Sequence, residues 1–175
     1  MFSSPKQNIE KVNIDPGMKV ADIGSGAGHY SIAAAKLVGP SGNVYTVDIQ
    51  KDLLEKVKFE ALQQGIANIE LVWADMDEPM GIKLADNLVD RVIIANVMFQ
   101  VENKDTLVEE AKRILKPKGK LLFIDWTDSF GGLGPQASDI IRPDVARTLF
   151  ESEGFDFEKD IQVGEHHYGL IFKLS

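Results

Sequence analysis

The chain has 175 residues, enough for one domain with a substantial buried core, and 44% of them are hydrophobic, as in ordinary globular proteins. A formal net charge of −8 disfavours a polyanionic partner such as nucleic acid, because that binding depends on lysine and arginine. The absence of cysteine excludes disulfides, thiolate zinc sites and a cysteine nucleophile, and no apolar run approaches the ~18 residues of a membrane-spanning helix.

Helical and extended patterns alternate along the chain. The stretch SPKQ resembles a capping box with proline at the first helical position, and predicts a short helix carrying Ile9 and Val12. Asn103 is expected to cap a later helix, and the stretch PKGK is expected to turn the chain. Apolar stretches predict parallel strands at 18–23, 43–49, 68–73, 90–97 and 121–126. Apolar residues at helical spacing predict helices at 28–38, 53–64, 104–115 and 143–153.

The last two strands, 155–163 and 167–174, are joined by a link so short that they must pair antiparallel. The whole order predicts a doubly wound, Rossmann-like α/β sheet that is mostly parallel with one reversed strand. Ligands of such sheets bind beyond the carboxyl ends of the parallel strands. We therefore expect one shared edge for the connections at 24–28, 48, 75, 96 and 126–141 and for the turn near 166–168.

A glycine-rich stretch, VADIGSGAGHY, directly follows the first strand. Gly24, Gly26 and Gly28 alternate, whereas a dinucleotide-binding turn reads G-x-G-x-x-G and would need glycine where His29 stands. Asp22, at the strand end, is expected to face the crevice, where it would repel a pyrophosphate but suit an ammonium or hydroxyl group. The alternatives are a bare tight turn and a loop for close approach of a ligand that is not strongly anionic, and three glycines favour the loop.

Two further aspartates end the second and third strands. Asp48 lies about twenty residues beyond the glycines, where a carboxylate binds ribose hydroxyls, although it could also cap the next helix. Asp75 could accept a hydrogen bond from an adenine amino group while Met76 packs on the ring, or it could simply form the turn before Pro79.

The ordered motifs VADIGSGAGHY, VYTVDI, WADMDEP, DRVIIANVMFQ and LKPKGKLLFIDW resemble those of class I S-adenosylmethionine-dependent methyltransferases, over residues 17–175. The nearest resemblance is to the small-molecule group that includes the quinone-biosynthesis methyltransferases. It implies a seven-stranded sheet of order 3-2-1-4-5-7-6 with the last strand antiparallel, and S-adenosylmethionine over the glycine loop. The cofactor-binding residues that it implies are Asp22, Gly24, Ser25, Gly26, Gly28, Asp48, Ile49, Asp75, Met76, Asn96 and Val97.

Several subclasses are disfavoured. The stretch ANVMFQ lacks the proline pair of nucleic-acid amino methyltransferases and the two glutamates of protein arginine methyltransferases. A metal-dependent catechol type would need a carboxylate where Asn96 stands, so no metal is predicted, although Asp125 and Asp128 leave that alternative open. We expect a small-molecule acceptor and no nucleic-acid partner.

The acceptor pocket is predicted from residues at the same edge of the sheet. His29, Tyr30 and His167 are the candidate catalytic residues, because a neutral imidazole could act as a base. The remaining candidates for the pocket wall are Met98, Phe99, Trp126, His166 and Tyr168. The alternatives are that His166 and His167 are solvated turn residues and that Phe99 and Trp126 belong to the core.

The predicted organisation is a single methyltransferase domain over 1–175, with a short N-terminal helix or lid at 1–16 and a core at 17–175. Residues 1–14, the loop Phe130–Ser138 or a second subunit of a homodimer would have to close the pocket. The predicted function is cytoplasmic, S-adenosylmethionine-dependent methyl transfer to a small molecule. The alternative is a regulatory protein that binds the cofactor without catalysis, and a nicotinamide oxidoreductase is disfavoured by His29.

Overall fold

The computed structural model describes residues 4–175, which form one seven-stranded sheet covered by helices on both faces. The strands are β1 (Lys19–Ile23), β2 (Asn43–Asp48), β3 (Ile69–Trp73), β4 (Val89–Ala95), β5 (Leu115–Trp126), β6 (Phe155–Ile161) and β7 (His167–Leu174). The helices are α1 (Pro5–Glu10), α2 (His29–Val38), α3 (Lys51–Gln63), α4 (Lys104–Ile114) and α5 (Pro143–Ser152). Short 3-10 turns follow β4 and precede α5.

The strand order is β3-β2-β1-β4-β5-β7-β6, which confirms the order that the resemblance implied. Strands β1 to β5 are parallel, and β7 pairs antiparallel with both β5 and β6. The chain reverses its direction of winding between β1 and β4, and such a switch point leaves a crevice beyond the carboxyl ends of these strands. The start of β7 reaches that same edge, because His167 pairs with Trp126 at the end of β5.

The core lies in two layers, because central strands buried on both faces carry mainly apolar side chains. On one face, Ile9, Val12 and helix α2 pack against the sheet. On the other face, α4 and α5 cover a cluster that includes Phe123 and Phe150, whose ring centroids lie 5.2 Å apart. Helix α1 is tied to α2 by the amide of Asn8, which donates a hydrogen bond to the hydroxyl of Tyr30 (3.0 Å).

Three local predictions were wrong in detail. Ser4 and Asn103 occupy the N-cap positions of α1 and α4, but neither side chain makes a capping hydrogen bond. Asn103 instead donates to the backbone carbonyl of Asp77. The stretch PKGK does not separate α4 from β5: it is the irregular start of β5, where Lys118 has a positive φ of 67°. No helix between residues 4 and 175 is both long and apolar enough to cross a bilayer.

Candidate active site

A cavity of about 620 Å³ opens at the carboxyl edge of the sheet, where the sequence predicted the site. Its size is typical of small-molecule sites. Its lining includes thirteen of the predicted site residues: Gly24, Ser25, Gly26, His29, Tyr30, Asp48, Ile49, Asp75, Met76, Asn96, Val97, Trp126 and His167. We call the wall built by Trp126, Leu133, Gly134 and His167 the aromatic half, and the wall that follows β1, β2, β3 and β4 the glycine-loop half.

Two of the three glycines in the loop are required by packing, and the third is not. All three have positive φ values, between 54° and 80°. A Cβ on Gly24 would lie 2.4 Å from Cγ2 of Val97, and a Cβ on Gly28 would lie 2.5 Å from Cγ2 of Val57, so these two positions are set by packing. A Cβ on Gly26 would meet nothing within 4 Å. Gly26 is therefore the glycine of this loop that leaves room for a ligand to approach the backbone.

Asp48 connects the loop to the end of β2. One carboxylate oxygen accepts a hydrogen bond from the backbone N–H of Gly26 and the other from the N–H of Gln50, each at 2.9 Å. The side chain is buried but lines the cavity, and each oxygen keeps a second lone pair for a ligand. Asp48 thus orders the glycine loop and the residue before α3, but it does not cap this helix, because Gln50 occupies the N-cap position and no side chain makes a capping hydrogen bond there.

Asp75 also combines a local turn with a place in the cavity wall. Its Oδ1 accepts from the backbone N–H of Asp77 at 2.9 Å, which is the turn-forming role. Asp77 is held in turn by the N–H of Asn103 at 2.7 Å. Both aspartates line the cavity beside the buried Met76, so this corner offers carboxylates next to an apolar surface.

Ser25 and Asn96 bring unpartnered polar atoms to the same wall. The hydroxyl oxygen of Ser25 and Oδ1 of Asn96 are buried and have no hydrogen-bond partner among residues 4–175. Asn96 has a positive φ of 58°, held by its N–H donating to the carbonyl of Ile124 (2.9 Å). Buried polar atoms are normally paired, and strained backbone is frequent at functional sites, so both features indicate a ligand here.

Asp22 does not face the cavity, contrary to the prediction. Its carboxylate is 2% exposed and accepts a hydrogen bond from the hydroxyl of Ser31 (2.7 Å), which accepts one from Thr46 (2.8 Å). The strand alternation at the end of β1 directs the side chain inward under α2, away from the loop that follows. Burial raises the pKa of Asp22 to about 6, against the lowering effect of the Ser31 hydrogen bond.

This raised pKa predicts a pH-dependent stability. The folded chain holds the proton more tightly than the unfolded chain, so the contribution to stability is complete below about pH 4 and is lost as the pH rises through about 6. The free energy of unfolding of Asp22→Asn should equal that of the wild type near pH 4. At pH 8 it should be higher than that of the wild type by about 3 kcal/mol. Urea denaturation across this range measures the difference, with the exposed Asp52→Asn as the control. Parallel profiles for wild type and Asp22→Asn would contradict it.

The aromatic half is built at the junction of β5 and β7. The rings of Trp126 and His167 lie 4.2 Å apart. The loop after β5 folds back onto Trp126 at Gly134, which has a positive φ of 90°. A Cβ on Gly134 would lie 2.9 Å from Cε3 of the indole. Leu133 is 55% exposed yet lines the cavity. This loop therefore forms an apolar wall, and Pro5 of α1 also lines the cavity. Two of the segments that were predicted to close the pocket thus contribute residues to its lining.

His166 fastens the base of that loop instead of facing the cavity. Its Nδ1 lies 2.7 Å from Oδ1 of Asp128, and its ring stacks on Phe130 with centroids 4.4 Å apart. Phe130 and Leu133 exchange two backbone hydrogen bonds across a tight turn. The two adjacent histidines thus have separate surroundings: His166 holds the loop and His167 lines the cavity.

Six predicted residues are outside the cavity lining: Asp22, Gly28, Met98, Phe99, His166 and Tyr168. Met98 is fully buried in the core, and the hydroxyl of Tyr168 donates to the carbonyl of Ile141 (2.7 Å) inside the second layer. Phe99 lies on the 3-10 turn whose next residue, Gln100, lines the cavity in its place. The structure therefore does not bring Met98, Phe99, His166 and Tyr168 into the lining of this cavity.

Sequence reasoning also missed part of the lining: Pro5, Ala27, Gln50, Leu53, Asp77, Ala95, Gln100, Val101, Leu133 and Gly134. Gln50 and Asp77 each follow a predicted aspartate by two residues and could have been found from that spacing. The glycines around Leu133 signalled an irregular loop but not which side chain it would place in the wall. Pro5, Leu133 and Gly134 were not singled out individually, but they lie in the segments 1–14 and Phe130–Ser138, which the sequence predicted could close the pocket.

The charge of the cavity restricts its ligand. Asp48, Asp75 and Asp77 line it, and no lysine or arginine does so among the described residues. A pyrophosphate would meet uncompensated repulsion, whereas a nucleoside with cationic groups is attracted. The residues fit S-adenosylmethionine, which carries an ammonium and a sulfonium: three carboxylates, the open backbone at Gly26, and the unpartnered oxygen of Asn96. Among residues 4–175, no group of three or more aspartate, glutamate and histidine side chains could hold a metal ion.

The fold is that of the class I S-adenosylmethionine-dependent methyltransferases. The family model described as "Methyltransferase domain" matches residues 14–149, so the chain belongs to the methyltransferase domain family. A solved S-adenosylmethionine-dependent methyltransferase from Aquifex aeolicus superposes with a TM-score of 0.90 at 26% identity, covering 99% of this chain and 91% of that one.

Among curated proteins, the chain is similar to quinone-biosynthesis enzymes. It is 35% identical over 127 residues to the ubiquinone/menaquinone biosynthesis C-methyltransferase UbiE of Bordetella avium, covering 73% of this chain and 48% of the relative. It is 30% identical over 120 residues to a demethylmenaquinone methyltransferase of a Geobacillus species, covering 69% and 50%. The chain thus spans about half the length of these relatives.

Proposed function

We propose that the protein transfers the methyl group of S-adenosylmethionine to a small-molecule acceptor, and that the acceptor atom is a ring carbon of a reduced quinone. The observation that carries this proposal is the single cavity in which the glycine-loop half meets the aromatic half. One wall supplies carboxylates and open backbone, and the other supplies aromatic and apolar surface.

Residues of the glycine-loop half would hold the cofactor. Asp48 would accept hydrogen bonds from the ribose hydroxyls, and Asp75 with Met76 would receive the adenine. The peptide groups around Gly26 and the oxygen of Asn96 would face the amino-acid portion. When bound, S-adenosylmethionine supplies the methyl group as an electrophile on a positively charged sulfur.

The task left to the chain is orientation and exclusion of water, because methyl transfer is an in-line displacement that depends on alignment. The acceptor would lie beside Trp126 in the aromatic half, where the apolar Leu133 and Pro5 would shield it from solvent. The relatives named as C-methyltransferases of ubiquinone and menaquinone biosynthesis and as a demethylmenaquinone methyltransferase support the acceptor class. The aromatic half supports it independently, because a flat apolar ring suits this wall.

The test uses purified protein, methyl-labelled S-adenosylmethionine and a demethylmenaquinone with a short prenyl tail, chemically reduced to the quinol. We expect label in the quinol ring, with carbon methylation identified by NMR. The oxidised quinone is the matched control, because its ring carbon is not nucleophilic and should stay unlabelled. Calorimetry with S-adenosylhomocysteine tests the cofactor separately.

Each outcome has a distinct meaning. Labelled quinol supports both parts of the proposal. Binding of S-adenosylhomocysteine with no transfer to the quinol would overturn the acceptor and favour the alternative of a non-catalytic, cofactor-binding protein. Absence of heat with S-adenosylhomocysteine would overturn the cofactor as well.

A further inference from the structure

We infer that His167 is the general base of the reaction, accepting the proton of the acceptor's hydroxyl group through Nε2. The inference rests on the proposed function, since it requires an acceptor with an ionisable hydroxyl in the aromatic half. Deprotonation of a ring hydroxyl raises the electron density on the neighbouring ring carbon, which is the atom that must act as nucleophile.

The position of the imidazole is the first support. His167 is the first residue of β7 and lines the cavity beside Trp126, its pairing partner on the neighbouring strand β5. Its Nε2 is buried and has no hydrogen-bond partner anywhere in residues 4–175. Buried ring nitrogens are normally paired, so an unpaired one in a cavity wall indicates a partner supplied by a ligand.

The orientation of the ring is fixed without use of its nitrogens. It packs on the indole of Trp126 at 4.2 Å and 41°, and the indole is covered in turn by the backbone of Gly134. Packing therefore holds the imidazole, while the buried Nε2 is left without a hydrogen-bond partner in residues 4–175. In the tautomer that carries its proton on Nδ1, Nε2 presents a lone pair.

The protonation state suits a base. Burial lowers the pKa of His167, and the neighbouring His166 lowers it further, while Asp128 acts in the opposite sense. The lowered pKa favours the neutral imidazole at neutral pH, which is the form that can accept a proton.

The other histidines and Tyr30, which the sequence analysis also named for this edge, are less suited. His29 is exposed at the start of α2. The hydroxyl of Tyr30 already accepts a hydrogen bond from Asn8. His166 is bonded to Asp128 and does not line the cavity.

The step is a simple proton transfer. The O–H bond of the acceptor breaks, an Nε2–H bond forms, and the electron pair remains on the acceptor oxygen. The imidazolium then returns its proton to water, so His167 is restored for the next turnover.

The experiment compares His167→Gln with wild type, and His166→Gln serves as the matched control at the adjacent position. With reduced demethylmenaquinone, we expect His167→Gln to lower kcat by about 100-fold or more, the usual contribution of a general base. The wild-type kcat/KM should fall at acidic pH, where the imidazolium cannot accept a proton. His167→Gln should lack that acidic limb, and His166→Gln should keep it.

A second measurement does not depend on turnover. Calorimetry of the quinol binding to the complex with S-adenosylhomocysteine should show about tenfold weaker affinity for His167→Gln, through one lost hydrogen bond. The affinity for S-adenosylhomocysteine itself should be unchanged, which also shows that the variant is folded. Wild-type rates and an unaltered pH profile in His167→Gln would overturn the base. Failure of wild type to methylate the quinol would overturn the proposed acceptor, and the base with it.

Discussion

Replacement of Asp48 by alanine should weaken the binding of S-adenosylhomocysteine by about 1–3 kcal/mol, through lost hydrogen bonds to a charged group. The carboxylate holds the N–H groups of Gly26 and Gln50 at 2.9 Å, so the variant also frees the glycine loop and the start of α3. The expected loss therefore combines direct contacts to the ribose with the cost of ordering the loop. Calorimetry at fixed ionic strength measures it.

A matched control separates these contributions from the effect of removing one negative charge from the protein. Asp52→Ala removes a carboxylate from the first turn of α3, where it is exposed, and should leave the affinity nearly unchanged. Asp48→Asn keeps one acceptor oxygen and should fall between wild type and Asp48→Ala. Unaltered affinity in Asp48→Ala would refute the assignment of this residue to the ribose.

The fold could be predicted because its signals are local and consistent. Apolar runs such as DRVIIANV indicate strands buried on both faces, and the short link before His167 leaves only an antiparallel pairing. Connection order then places the carboxyl ends together, which is why the site edge was found. The caps at Ser4 and Asn103 were wrong because the sequence cannot show where a polar side chain finds its partner: Asn103 donates to Asp77, which is distant in the chain.

The direction of individual side chains was the part of the site that could not be predicted from the sequence. Asp22 and Tyr168 lie at the correct edge, but the alternation of the strand directs them into the layers beneath the helices. Conversely, Leu133 reaches the wall only because Gly134 lets the loop return onto Trp126. Long-range folding of this kind leaves no periodic trace in the sequence.

The glycine loop is the clearest case in which the sequence pattern does not show the local surroundings of each residue. The sequence treats Gly24, Gly26 and Gly28 as equivalent members of one motif, all placed for a ligand. The structure separates them, because Gly24 and Gly28 contact valine side chains and Gly26 alone of the three faces open space. Two substitutions in one loop should therefore have different effects on stability and on binding.

Gly24→Ala should lower the free energy of unfolding by about 2–5 kcal/mol, the sum of overpacking against Val97 and of a left-handed alanine. Gly26→Ala has the same backbone cost of about 1–2 kcal/mol but meets no protein atom within 4 Å. Its new methyl group lies in the cavity wall, so it should instead weaken binding of S-adenosylhomocysteine. Urea denaturation and calorimetry on the two variants measure this contrast.

A second-site change tests the cause. A Cβ on Gly24 would meet three atoms of Val97. Val97→Ala removes two of them, Cγ2 at 2.4 Å and Cγ1 at 2.9 Å, and leaves the Cβ of residue 97 at 2.8 Å. The double variant Gly24→Ala/Val97→Ala should recover part of the stability lost in Gly24→Ala, whereas Val97→Ala alone should be destabilising as an ordinary cavity-forming change. Losses that simply add would show that the overlap with the Val97 methyl groups is not the cause. Recovery would establish that Gly24 serves the packing of the loop after β1 against the residues that follow β4.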